Sequence, residues 1–271
     1  TTGTASGTTL AVDQTAPTIS TSSIASNNST STLATTSDLV TLTIATNENI
    51  SSPTVAFTSG GAAAGNVDTV SGASPGTSFT SAYTVDASDT DGTVAISITA
   101  TDVAGNTTSG FTTISAGSVT VDQTAPASQK TQGVVTTGGD NQVAGYWNSG
   151  NTGVDITVPI ADDSSINGGT VQLLVSTDGG GSFVPLDTPS TISAVNTNKT
   201  ISVAGGVLEG VAGFGESDVL QFKATITDTS GNATTGTVSD TTLTVDQVAP
   251  EVDTFTMTDT ALKSGETSTV T

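Results

Sequence analysis

The chain has 271 residues, enough for one large domain or two of ordinary size, and is rich in Thr, Ser, Gly, Ala and Val with only 11% charged residues. Acid outweighs base by 25 Asp+Glu to 4 Lys+Arg, a net charge of -21, which repels nucleic acid and anionic membranes and attracts cations. Cys and His are absent, which excludes disulfides, thiolate chemistry and the usual Ser-His-Asp machinery, and no stretch approaches the ~18 apolar residues of a membrane span.

Taken along the chain, the pattern is one of strands. β-branched residues fit a pleated, half-buried surface, and no window sustains the i, i+3, i+4, i+7 spacing of a long helix. Residues 1–12 read as a last strand that runs into VDQTAP at Val12–Pro17. Val40, Leu42 and Ile44 then share one face, Phe79 and Val85 bracket a looser strand with Tyr83, and Val94, Ile96, Ile98 and Ala100 form another. After a second VDQTAP at Val121–Pro126 the alternation resumes in Val154, Ile156, Val158 and Ile160, in Val171, Leu173 and Val175, and in Leu220, Phe222, Ala224 and Ile226. Trp147, the only Trp, sits beside Tyr146 and reads as a core or edge packing residue.

The repeats organise these strands. VDQTAP occurs at residues 12 and 121 and returns as VDQVAP at 245, spacings of 109 and 124 residues. A second signal precedes each later copy: TDVAGN at Thr101–Asn106 and TDTSGN at Thr227–Asn232. The paired motifs at this spacing resemble the bacterial Ig-like repeats of large cell-surface adhesins and S-layer-type proteins, and the resemblance covers the whole chain. It implies an all-β chain of tandem Ig-like β-sandwich domains in a linear array. Residues 1–12 would end a preceding repeat, 13–121 and 122–245 would be whole repeats, and 246–271 would begin a further one. The second repeat is expected to carry a longer insertion between its middle strands. The chain begins at Thr1 without a signal-like segment, stops in mid-pattern and reads as a piece of a longer protein.

An Ig-like topology turns the motifs into a site. Successive strands run antiparallel, so the B–C and F–G turns return to the leading end, where the chain arrives. Asp122 of the linker should therefore lie near Asp228 and Asn232 of the F–G turn, with Asp162 and Asp163 added by the B–C loop. The E–F turn of the preceding repeat, with Asp86, Asp89 and Asp91, should reach the same joint from its trailing end. Asp13, Glu48, Asp102 and Asn106 form the matching set of the first repeat. Asp246 should meet Glu216 and Asp218 at the trailing end of the second. Four Lys cannot neutralise carboxylates at this density, whereas a hard divalent cation with six to eight oxygen ligands can, and calcium fits best. The other reading of the same residues is local: Asp and Asn form turns by capping backbone groups. The resemblance favours calcium, because related adhesin repeats are commonly stiffened by it at their linkers.

Ser176–Phe183, STDGGGSF, resembles the Asp-box of sialidase-like proteins, a structural hairpin turn, here expected to join Val171–Val175 to Phe183–Leu186. Sialidases rely on an arginine cluster, and this chain has no Arg. The expected function is therefore structural and extracellular: a calcium-stiffened stalk of an adhesin whose partners are neighbouring repeats of the same chain. Two alternatives stand beside it. One is a subunit of a surface lattice or filament that contacts other copies laterally, and the other is an accessory module of a secreted carbohydrate-active enzyme or phage fibre.

Overall fold

A computed structural model describes residues 11–139, 141–252, 256, 264, 265 and 267. The strand expected within 1–12 and the repeat expected to open within 246–271 lie largely outside these residues. The first sandwich comprises β1 (Ile19–Ser26), β2 (Leu33–Ala34), β3 (Leu39–Ile50), β4 (Thr54–Ser59), β5 (Ala62–Ala63), β6 (Gly76–Thr84), β7 (Gly92–Thr101), β8 (Thr107–Phe111) and β9 (Thr120–Val121). The second comprises β10 (Gln132–Thr137), β11 (Tyr146–Trp147), β12 (Gly153–Ile160), β13 (Thr170–Ser176), β14 (Val184–Thr191), β15 (Thr197–Ala204), α1 (Gly205–Glu209), β16 (Val219–Thr227), β17 (Ala233–Thr235) and β18 (Leu243–Val245).

The two follow one plan. In each, a three-stranded sheet (β1-β3-β6; β10-β12-β15) faces a larger one (β2-β9-β7-β4-β5; β11-β18-β16-β13-β14), with β8 and β17 added to β7 and β16. In Ig lettering this is A-B-E against A′-G-F-C-C′. The short A′ strands β2 and β11 run parallel to β9 and β18, as an Ig-like sandwich requires when its first strand changes sheets.

Alternation explains the burial. Val40, Leu42 and Ile44 of β3 are buried and pair across to Tyr83, Ser81 and Phe79 of β6. Val94, Ile96, Ile98 and Ala100 close the core from the other sheet, where the Phe57 and Tyr83 rings meet at 5.1 Å. The second sandwich repeats this with Val154, Ile156, Val158 and Ile160 against Val171, Leu173, Val175, Leu220, Phe222, Ala224 and Ile226. Each Val, Leu, Ile or Phe among them contributes about 1.5–3 kcal/mol when fully buried. The buried residues form two separate clusters, one per sandwich. Trp147 is fully buried in the second, with its Nε1 donating to Glu209 Oε1 at 3.0 Å, so its polar edge is satisfied from α1.

The extra length of the second repeat is not one insertion between the middle strands. The B–C link spans 161–169 against 51–53, the E–F link 205–218 against 85–91, and β14 widens where β5 is minimal. Residues 161–169 form a short 3-10 turn, Ser164–Ile166, capped by Asp163, and 205–218 hold α1.

Candidate functional site

The TDxxGN motif is a self-contained turn. Asp102 Oδ1 accepts from Gly105 N (2.6 Å) and Asn106 N (2.8 Å), and Asp228 Oδ1 accepts from Ser230 N, Gly231 N and Asn232 N at 2.8–2.9 Å. Gly105 and Gly231 take φ of +99° and +100°, a conformation that L side chains rarely adopt, which is why Gly recurs there. Asn106 and Asn232 donate from Nδ2 back to Asp102 Oδ2 (2.8 Å) and Asp228 Oδ2 (3.0 Å). The Asn106 amide is the first cause that holds the Asp102 carboxyl below its usual range.

The same amides reach the linker, as the topology required. Asn232 Nδ2 donates to Asp122 O at 2.9 Å and Asn106 Nδ2 to Asp13 O at 3.2 Å. The preceding sandwich then grips the turn. Thr35 Oγ1 donates to Asn232 Oδ1 (2.6 Å), and Asn28 Nδ2 donates to Ser230 O (3.0 Å) and to Asp38 Oδ2 (2.7 Å). Ser230 Oγ donates to Asp122 Oδ2 at 3.0 Å.

Gln123, the residue after Asp122, faces backward. Its N–H donates to Asp91 Oδ1 (2.8 Å), its Nε2 to Asp86 O (2.7 Å) and Thr36 Oγ1 (2.9 Å), while Thr124 Oγ1 donates to Asp91 Oδ2 (2.6 Å). Asp89 Oδ2 accepts from Asp86 N and so shapes the E–F turn rather than the joint itself. The second trailing end repeats the device: Gln247 N donates to Glu216 Oε2 and Gln247 Nε2 to Glu209 Oε1, both at 2.8 Å. Glu216 thus meets Gln247 rather than Asp246, the Asp218 carbonyl accepts from Val245 N of β18, and Asp246 N donates to Trp147 O, so the expected meeting of Asp246 with Glu216 and Asp218 is replaced by one through Gln247.

The carboxylates are gathered unevenly. One oxygen each of Asp13, Glu48 and Asp102 lie within 4.8 Å of one another, and Asp102 is buried. No Lys or Arg occurs between residues 13 and 121. Among the described residues this is the one cluster of three or more acids that close. Asp122, Asp162, Asp163 and Asp228 do not converge with Asp86, Asp89 and Asp91 into one cluster. Asp163 Oδ1 accepts from Ser165 N and Oγ, and Asp162 is exposed in the B–C link. The Asp13, Glu48 and Asp102 donors are all hard oxygens with no nitrogen or sulfur among them, a set that suits calcium and not zinc.

Sequence reasoning missed Asn28, Thr35, Ser230 and the Gln of VDQ. The recurrence of Gln at 14, 123 and 247 was the available signal for the last. The Asp-box hairpin forms as expected: Ser176 Oγ donates to Asp178 Oδ1, Ser182 N donates to the same oxygen and Ser182 Oγ donates to Oδ2, joining β13 to β14.

Neither a family model nor a curated protein matches the sequence. Among solved structures the chain is similar to the titin I-band fragment I67–I69, at 11% identity, covering 87% of this chain and 67% of that one with a TM-score of 0.38. It is also similar to a tetra-tandem repeat from the extending region of a large adhesion protein, at 20% identity, 85% and 50% coverage and a TM-score of 0.28. The tandem Ig repeats of Dlar match at 14% identity, 84% and 98% coverage and a TM-score of 0.22. The chain thus spans half the length of the adhesion-protein fragment. The shared strand order of the two sandwiches is what makes the fold a tandem of Ig-like domains. Among the described residues no helix is long and apolar enough to cross a membrane.

Proposed function

We propose that this chain is a non-enzymatic spacer segment of an extracellular, cell-surface protein, a stalk of the adhesin kind, in which Ig-like sandwiches are stacked end to end with stiffened joints. The observation that carries this reading is that the linker is held from both sides. Asp122 is bonded to the following sandwich through Ser230 and Asn232, and Gln123 to the preceding one through Asp86 and Asp91. Thr35 and Asn28 then bridge the two sandwiches directly. A linker fixed at successive residues has few hinge angles left, and a stack of such joints transmits position and load.

Calcium is the second part of the proposal. Asp13, Glu48 and Asp102 would hold the ion, with its charge offsetting three carboxylates that have no cation in their own repeat. Extracellular calcium modules bind at roughly 10⁻⁴–10⁻³ M. A tenfold excess over Kd then stabilises by about 1.4 kcal/mol, modest for a fold but enough to restrict a joint.

Small-angle scattering tests the spacer, and calorimetric titration of calcium tests the ion. One extended, rigid two-domain shape is expected, with calcium heat that Glu48→Gln removes. A flexible ensemble of independent sandwiches would sink the spacer reading. Absence of calcium heat in the unsubstituted chain would sink the ion while leaving the hydrogen-bonded joint. Large calcium-dependent particles would replace the spacer by a lateral assembly.

A further inference from the structure

The trailing end of the second sandwich carries a cleft of about 500 Å³ lined by Asn141, Asn148, Gly150, Asp246, Gln247 and Ala249, among others. Its position matches, along the A′ strand and the bend after it, the place on the first sandwich that the F–G turn of the second occupies, and of the two side-chain amide hydrogens of Asn148 one is already given to Asn141 O at 2.6 Å, leaving the other for a ligand. Asp122 N donates to Ala34 O at 2.9 Å, and Asp246 N to Trp147 O at 2.8 Å. Thr35 N donates to Asp38 Oδ2 at 2.8 Å, and Asn148 N to Asn151 Oδ1 at 2.7 Å, while Asp38 N and Asn151 N return bonds to Thr35 O and Asn148 O. Asn148 therefore stands where Thr35 stands, and Thr35 is the residue that bonds Asn232. Leu33 and Tyr146 pair with Thr120 and Thr244 in the same parallel register. Leu33, at the occupied joint, is half-buried, whereas Tyr146 is 45% exposed and Val143 beside it 51% exposed.

We propose that this cleft is a socket for the F–G turn of a following Ig-like sandwich that begins at Asp246, and that its ligand is a turn of the T-D-x-x-G-N kind. The Asn amide of that turn donates to the Asp246 carbonyl, as Asn232 does to Asp122, and its side-chain carbonyl accepts from Asn148, as that of Asn232 accepts from Thr35. Tyr146 and Val143 lose solvent at the same contact. The Gln247 clamp on Glu216 and Glu209 already sets the linker in the orientation that Gln123 takes at the first joint. The inference rests on the stacked-spacer reading and extends it to a second joint with a named occupant.

The test is a chain extended by its own first repeat: residues 1–245 followed directly by 13–121, so that the TDVAGN turn of the added copy is offered to the cleft. Hydrogen exchange is followed in peptides from 139–150, which occur once in the extended chain. Exchange there is expected to slow by about tenfold or more relative to the unextended chain, and to recover when the Asn of the added turn is replaced, Asn106→Ala in that copy. Peptides from 27–38 in the unextended chain report the first joint. Unchanged exchange at 139–150 with protection at 27–38 would overturn the socket and leave the spacer standing. Free exchange at both would overturn the spacer and the socket with it. Protection at 139–150 that rises with concentration in the unextended chain would assign the cleft to a second copy and overturn the proposal.

Discussion

Replacing Asn232 by Ala separates the turn from the joint. The side chain makes three hydrogen bonds: to Asp228 Oδ2 within its own turn, to the Asp122 carbonyl of the linker and from Thr35 of the preceding sandwich. Asn106 makes the first two of these, to Asp102 and Asp13, and so serves as an internal control. A hydrogen bond contributes about 0.5–1.5 kcal/mol net, and about 1.5–3 when one partner is charged. Asn106→Ala should therefore cost the first sandwich about 2–4.5 kcal/mol. Asn232→Ala should cost the second a similar amount plus about 0.5–1.5 kcal/mol for the bond across the joint. Asn232→Ala is read by urea unfolding followed by Trp147 fluorescence, which reports the second sandwich because Trp147 is the chain's only Trp and lies in that core, and Asn106→Ala by calorimetry of the first sandwich's transition. A double-mutant cycle with Thr35→Val isolates the cross-joint term. A coupling energy indistinguishable from zero would refute the claim that the turn is gripped by the preceding sandwich.

Two separate cores predict two unfolding steps. Ile44→Ala, at a fully buried site, should lower the first sandwich by about 2–5 kcal/mol and leave the Trp147 transition within about 0.5 kcal/mol of its original position, apart from the joint's coupling; calorimetry beside fluorescence checks this. Acid stability follows the turn carboxylates. Asp102 and Asp178 are held below the ordinary 3.8, Asp102 chiefly by the Asn106 amide and Asp178 chiefly by the Ser176 hydroxyl and then Ser182. Their folded values are depressed, so their contribution is present above pH 3.8 and is lost as pH falls through the folded values. Acid titration should show both sandwiches losing stability as pH falls below 3.8, with Asp178→Asn reducing the dependence of the Trp147 transition and not that of the first sandwich.

Period-two runs were legible because each core strand has one apolar face and is long enough to show it: Val40 to Ile44, Val154 to Ile160 and Leu220 to Ile226 all lie where alternation put them. β2 and β11 were not, since two residues carry no period and their places are set by parallel pairing with β9 and β18 within the larger sheet. The meeting of linker Asp with the F–G turn was legible from topology alone. Whether a carboxylate there binds a cation or caps a turn was not, because both uses select Asp, Asn and Gly. Asp228 and Asp163 show the capping use, while Asp102 caps a turn and also stands with Asp13 and Glu48. Asn28 and Thr35 lay beyond reach for a different reason: their role arises only when one sandwich is stacked on the next, and no repeat of their own marks it.

The VDQ motif gains a physical meaning from this. In an extended segment neighbouring side chains point to opposite sides. Asp122 is turned toward the sandwich ahead, where Ser230 bonds its carboxylate and Asn232 its carbonyl, and Gln123 toward the sandwich behind, where Asp86 and Asp91 receive it. This dipeptide, with Thr35 and Asn28 bridging beside it, ties two domains that share no core. A joint of this kind suits a repeated array, since each sandwich supplies an acidic acceptor at its trailing end, Asp91 or Glu216, and a TDxxGN turn at its leading end. The first and second repeats differ in length, in their B–C and E–F links and in α1, yet keep these two devices at their ends. What is held constant between the repeats is the pair of devices at their ends, and what varies is the body of the sandwich, the division expected of the spacer proposed above.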